Sequence, residues 1–187
     1  MRKVYIDCGS NKGKITRDFL NEGNTDFEYF LFEPLPRFHE EYNIGEMIKK
    51  DYPDIKLTYS AEAIWIKDEE LKFFVCGRGH EGSSLCENKV SNKMDHEHPL
   101  IVQGIDFSSW IMENFSKDDH IIIKMDIEGA EYQVLPKMIT DGSVEYANKM
   151  IVEFHSSRQI KGEYIHESFK EIHDYFENSE VELIDWW

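Results

Sequence analysis

Lys124, Asp126 and Glu128 recur at every second position directly after three consecutive isoleucines, Ile121–Ile123. The isoleucines read as a buried strand, so the charges stand at its carboxyl end. Strand alternation puts Lys124 and Asp126 on one face and Met125 on the other. A carboxylate at such a place can stabilise a bound cation or take a proton from a hydroxyl. A lysine beside it can hold a developing alkoxide or tune the acid. Glu128 and Glu131 equally suit the positive N-terminus of a helix predicted to open at Gly129. The run KMIVEFH (149–155) brings Glu153 and His155 to the same rim, where a histidine is a base, a substrate contact or a packed side chain.

A second group lies in DCGSNKG, where Asp7, Gly9 and Gly13 follow the apolar run KVYID. Glycines there let the backbone turn tightly and approach a ligand, and the following helix offers free amides. The pattern is not G-x-G-x-x-G, so a nicotinamide or flavin pyrophosphate fits poorly. Glu33 ends the next run, YFLFE, about 20 residues beyond the glycines, from where a carboxylate binds the two hydroxyls of a ribose. The pair describes a nucleoside-containing cofactor held without a strong phosphate grip.

Such residues need a scaffold that gathers strand ends. Apolar runs alternate with helix-period segments: strand 3–7, helix 13–23, strand 29–33, then a helix from Pro34 and Pro36 to about Asp51 with Phe38, Tyr42 and Met47 inward. Residues 55–66 and 70–75 read as strands or a hairpin, 76–99 as one long polar loop, 100–107 as a strand and SSWIMENF as a short helix with Trp110 in the core. The opening stretch supplies a further strand and helix, 149–155 with 166–179 another pair, and VELIDWW closes the chain, its Trp186 and Trp187 covering an edge or a partner. This alternation predicts an α/β fold, a three-layer, doubly wound and mostly parallel sheet, with ligands at the carboxyl ends of its strands.

The 187 residues predict one domain, and the formal charge of −16 disfavours a nucleic-acid partner. No apolar run reaches the roughly 20 residues of a bilayer span, and MRKVYIDCGSNKG is not a signal peptide, so a cytoplasmic protein without membrane contact is expected. Cys8, Cys76 and Cys86 read as reduced thiols. His80, His96 and His98, with Glu81 and Glu97, lack the i, i+4 spacing of a dedicated ligand pair, so no metal site is expected.

VYIDCGSNKG, FLFEPLP, GSSL, VQGIDFSSW and IIIKMDIEGAEYQVL occur in the order found in FkbM-type methyltransferases, and the chain resembles them from residue 3 to about 155. Its most specific element is K-x-D-x-E-G-A-E, Lys124 to Glu131. The resemblance implies a Rossmann-like enzyme that uses S-adenosylmethionine and releases S-adenosylhomocysteine. Asp7, Gly9, Asn11 and Gly13 would hold the methionine portion, with Ser10 among the cofactor-binding residues. Glu33 would hold the ribose beside Pro34, and Glu62 and Ala63 would flank the adenine. Ser83 and Ser84 would close over from the long loop, with Lys124, Asp126 and Glu128 beside the methyl group. The class ends on an antiparallel strand, for which little chain remains after VELIDWW.

The leading expectation is O-methyl transfer to a hydroxyl of a sugar, glycan or small metabolite, a substrate class that comes from the resemblance. The base is left among Asp126, Glu128 and His155. An RNA ribose methyltransferase is the alternative enzyme, opposed by the charge. A catalytically inactive cofactor- or protein-binding module is the alternative outside catalysis, opposed by the intact motifs. Oligomeric state is left open.

Overall fold

The computed structural model describes residues 1–77, 82–90, 93–156, 159–162 and 164–186. The strands are β1 (Lys3–Cys8), β2 (Glu28–Phe32), β3 (Lys56–Ser60), β4 (Ala63–Trp65), β5 (Glu69–Phe73), β6 (Leu100–Asp106), β7 (His120–Met125), β8 (Lys149–Glu153) and β9 (Glu182–Trp186). The helices are α1 (Lys14–Asn21), α2 (Pro36–Glu40), α3 (Ile44–Asp51), α4 (Phe107–Asn114), α5 (Glu131–Asp141) and α6 (Tyr164–Phe176). Six strands form the main sheet in the order β3-β2-β1-β7-β8-β9, every pair parallel. The last strand joins β8 in parallel, so among the described residues this sheet contains no antiparallel strand.

Alternation sorts the core. Val4, Ile6 and Cys8 of β1 and Ile121, Ile123 and Met125 of β7 face α4, α5 and α6, while Tyr5, Tyr29 and Leu31 face α1, α2 and α3. Helices thus cover both faces of a parallel sheet, a Rossmann-like α/β fold. Ile121 and Ile123 are 0% exposed, and each such side chain contributes about 1.5–3 kcal/mol on burial. That anchoring fixes the end of β7. The chain leaves β1 outward through β2 and β3 and returns to pair β7 with β1, Asp7 opposite Lys124. The connections after β1 and β7 therefore diverge from neighbouring strand ends, which opens a crevice.

Three expectations change. Residues 55–66 do not form one strand: β3 ends at Ser60, and β4 moves to a separate three-stranded sheet, β4-β6-β5, with β5 antiparallel to β6. The helix expected up to Asp51 is two, because Asn43 takes a left-handed φ of 45° between α2 and α3. That break rotates the face, so Ile44 and Ile48 are buried while Tyr42 and Met47 are exposed. Trp110 is only partly buried, stacked on Phe107 against the core. Trp187, Glu81 and His80 lie outside the described residues.

Candidate active site

Gly9 (φ 78°), Asn11 (φ 46°) and Gly13 (φ 69°) make the turn after β1 left-handed three times within five residues. A Cβ on Gly9 would lie 1.9 Å from the carbonyl oxygen of Asp126, so only glycine lets the β1 and β7 ends meet this closely. The Gly9 and Ser10 amides both donate to Phe32 O at 3.0 Å, pinning the turn to the end of β2. Glu33 follows, 5% exposed, its Oε2 accepting from Asn11 N (2.9 Å) and its Oε1 from Leu35 N (3.0 Å). Burial pushes its pKa up to about 7 although both amides oppose the rise.

Gly9, Asn11, Glu33, Pro34, Glu62, Ala63, Asp126 and Glu128 line one pocket. Ser83 joins them from the long loop. Asp7, Ser10, Gly13, Ser84, Lys124 and His155 are not among the residues that line the pocket. Asp7 is fully buried, its Oδ2 accepting from Thr16 Oγ1 (2.6 Å) and its Oδ1 lying 3.0 Å from Lys124 Nζ as an ion pair. Lys124 Nζ also donates to Gly9 O (2.8 Å) and sits 3.7 Å from Asp126 Oδ2. Burial alone would lower its pKa, but Asp7 and Asp126 raise it, so it is a fixed cation bracing the glycine turn. Gly13 packs against Ile44 and Ile48. Glu62 accepts from Ser60 Oγ (2.7 Å) on the pocket rim.

The acids after β7 are not equivalent. Glu128, at a left-handed φ of 58°, pairs with Lys89 and lies 2.8 Å from His155 Nε2. Burial would raise its pKa, but His155 and Lys89 pull it down to about 2. Glu131, fully buried, accepts from Ile127 N (2.9 Å) and Gly129 N (2.7 Å) and lies 3.2 Å from His155 Nδ1. Burial would lower the His155 pKa, yet Glu128 and Glu131 hold it up at about 10, so the imidazole is a cation clamped between carboxylates. Asp126 differs: burial, the largest influence, lifts it to about 7, opposed by Lys124 and aided by Glu153 and Glu128. It is the carboxyl in the pocket wall beyond β7 that titrates near neutrality.

Asp126, Glu131 and His155 each bring one ligand atom within 4.8 Å of the others. The Glu131 oxygens already serve two amides and His155 Nε2 serves Glu128, while His155 Nδ1 lies 3.2 Å from Glu131 without a hydrogen bond. In the long loop, His98 pairs with Asp95 and His96 lies against Phe74. Lys89 and the apolar walls Phe32, Leu35, Ile64, Phe73, Leu85 and Ile127 were not apparent from the sequence. For the wall residues the apolar runs were a signal; for Lys89, 39 residues from its partner, there was none.

A parallel doubly wound sheet with a pocket at its switch point is a Rossmann-like α/β fold. The chain belongs to the FkbM methyltransferase family: the model of the methyltransferase FkbM domain matches residues 7–180. Its fold is similar to the crystal structure of methyltransferase FkbM from Methylobacillus flagellatus KT, at 13% sequence identity and a TM-score of 0.54. That match covers 97% of this chain and 38% of the other, so this chain spans well under half the length of that protein. No curated protein matches the chain.

Proposed function

We propose that the chain moves a methyl group from S-adenosylmethionine to a hydroxyl of a sugar, glycan or other small acceptor, leaving S-adenosylhomocysteine. The observation that carries this reading is the convergence of Glu33, the Gly9–Asn11 turn and Asp126 on one pocket in a chain of this family. The residues fit the cofactor. Glu33 is buried, each oxygen oriented by one amide with lone pairs to spare for a ribose diol. Phe32, Ile64, Phe73 and Leu85 offer an apolar wall to a purine. When bound, the cofactor supplies an electrophilic methyl on a sulfonium cation.

Asp126 favours that cation and serves as the base that takes the acceptor's proton, a contribution of about 10²–10⁴-fold. Glu128 and His155 neutralise each other and support the turn rather than exchange protons. Lys124 positions, holding Asp7, Gly9 and Asp126 in register. The test is mass-spectrometric detection of methylated product from a sugar panel with S-adenosylmethionine. Asp126→Asn should lower the rate by at least about 10²-fold; an unchanged rate would remove Asp126 from the chemistry.

A further inference from the structure

Lys89 comes from a polar loop, yet its side chain is only 6% exposed. Its ammonium meets Glu128 Oε2 in a close ion pair. Burying an ammonium is unfavourable unless a carboxylate and good geometry offset the lost hydration. The same loop reaches the same turn again: Ser84 Oγ donates to Glu128 O (2.7 Å) and accepts from Cys86 N (2.9 Å). On its other side Val90 N donates to Gln159 O (2.6 Å) and Lys161 N to Asn88 O (3.1 Å). Ile160 in turn fills the space left by Gly129, where a Cβ would lie 2.0 Å from Ile160 Cδ1. Segments 82–90, 126–130 and 159–162 are thus tied at one point, and the buried ammonium of the knot is that of Lys89.

We infer that Lys89 is a positioning residue for the methyl-transfer site: it latches segment 82–90 to Glu128, holds that residue in its left-handed turn, and neutralises the carboxylate next to Asp126. Its catalytic meaning rests on the proposed function; the latch itself does not. The charged groups facing Asp126 are Lys124 from β7, Glu128 from the turn, Glu131 from α5, Glu153 from β8 and His155 beyond it. Without Lys89 the repulsion from Glu128 is less compensated, and Asp126 keeps its proton to higher pH.

The experiment uses the full chain and the variants Lys89→Met and Lys89→Arg. Hydrogen exchange without ligand should rise about tenfold at 83–90 and 128–130 in Lys89→Met and return toward wild type in Lys89→Arg. Calorimetric titrations with S-adenosylmethionine and S-adenosylhomocysteine then run from about pH 5 to about pH 9. In the wild type the preference for the cationic ligand should grow through about pH 7; in Lys89→Met that midpoint should rise by about one unit, and Lys89→Arg should restore it. Unchanged exchange in Lys89→Met overturns the latch. Raised exchange with an unmoved midpoint leaves Lys89 a structural residue and overturns the positioning role. If the wild type binds neither ligand, the cofactor reading fails, while the exchange result still decides the latch.

Discussion

Surroundings, more than residue type, divide the charged side chains of the site. Asp7 and Lys124 are a buried pair, 0% and 2% exposed at 3.0 Å, and removing one partner strands the other in a dry environment. Asp7→Ala should therefore cost about 3–5 kcal/mol in urea unfolding. Asp126→Asn, partly exposed and on the pocket wall, should leave the unfolding midpoint nearly unchanged. His155 predicts a pH signature. Its folded-state pKa of about 10 lies above its ordinary 6.5, so its stabilisation is fully present below about pH 6.5 and is lost as pH rises toward 10. His155→Gln should flatten the fall in stability across that window, measured by urea unfolding in a pH series. An identical slope in both proteins would place the charge of His155 elsewhere. The sequence left Asp126, Glu128 and His155 as candidates for the base, since each ends a strand or opens a helix. Their separation depends on Lys89 and Glu131, contacts that no spacing rule reveals.

Elements that run straight were legible in the sequence, and elements set by a single backbone torsion were not. The parallel strands β1, β2, β7 and β8 follow from apolar runs between helix-period segments. The division of α2 from α3 turns on Asn43 alone, whose left-handed conformation nothing in the apolar period demands. The departure of β4 into a second sheet follows the bend after Ser60, where Glu62 folds back onto the Ser60 hydroxyl and amide-side contacts replace sheet pairing. The glycine turn was legible because its function is geometric. Gly9→Ala should both destabilise the fold and abolish cofactor binding, since a Cβ at φ 78° meets a backbone oxygen that cannot swing away. Gly23→Ala is the matched control: at φ 95° with nothing within 4 Å, it should cost about 1–2 kcal/mol of backbone strain and leave binding intact. Equal binding by the two variants, read by calorimetry, would show that the close approach of β1 to β7 is not what shapes the pocket.

At the scale of the molecule, the charge of −16 and the six-stranded sheet act on different properties. Net charge acts at long range on the rate of encounter with other charged molecules, while the sheet brings Glu33, the glycine turn and Asp126 to one crevice from separate parts of the sequence. No helix of the described residues is long and apolar enough to cross a membrane. A ligand that binds only the folded chain at about 100 times its Kd adds about 2.7 kcal/mol, so saturating S-adenosylhomocysteine should raise Tm by roughly 5–10 °C. The most direct test of the account is calorimetric titration of the full chain with S-adenosylmethionine and S-adenosylhomocysteine, repeated on Glu33→Ala. Micromolar binding of both ligands at one site per chain, weakened at least about tenfold in the variant, is the predicted result. No heat from either ligand, or equal affinity in Glu33→Ala, would contradict the placement of a methyl donor in this pocket.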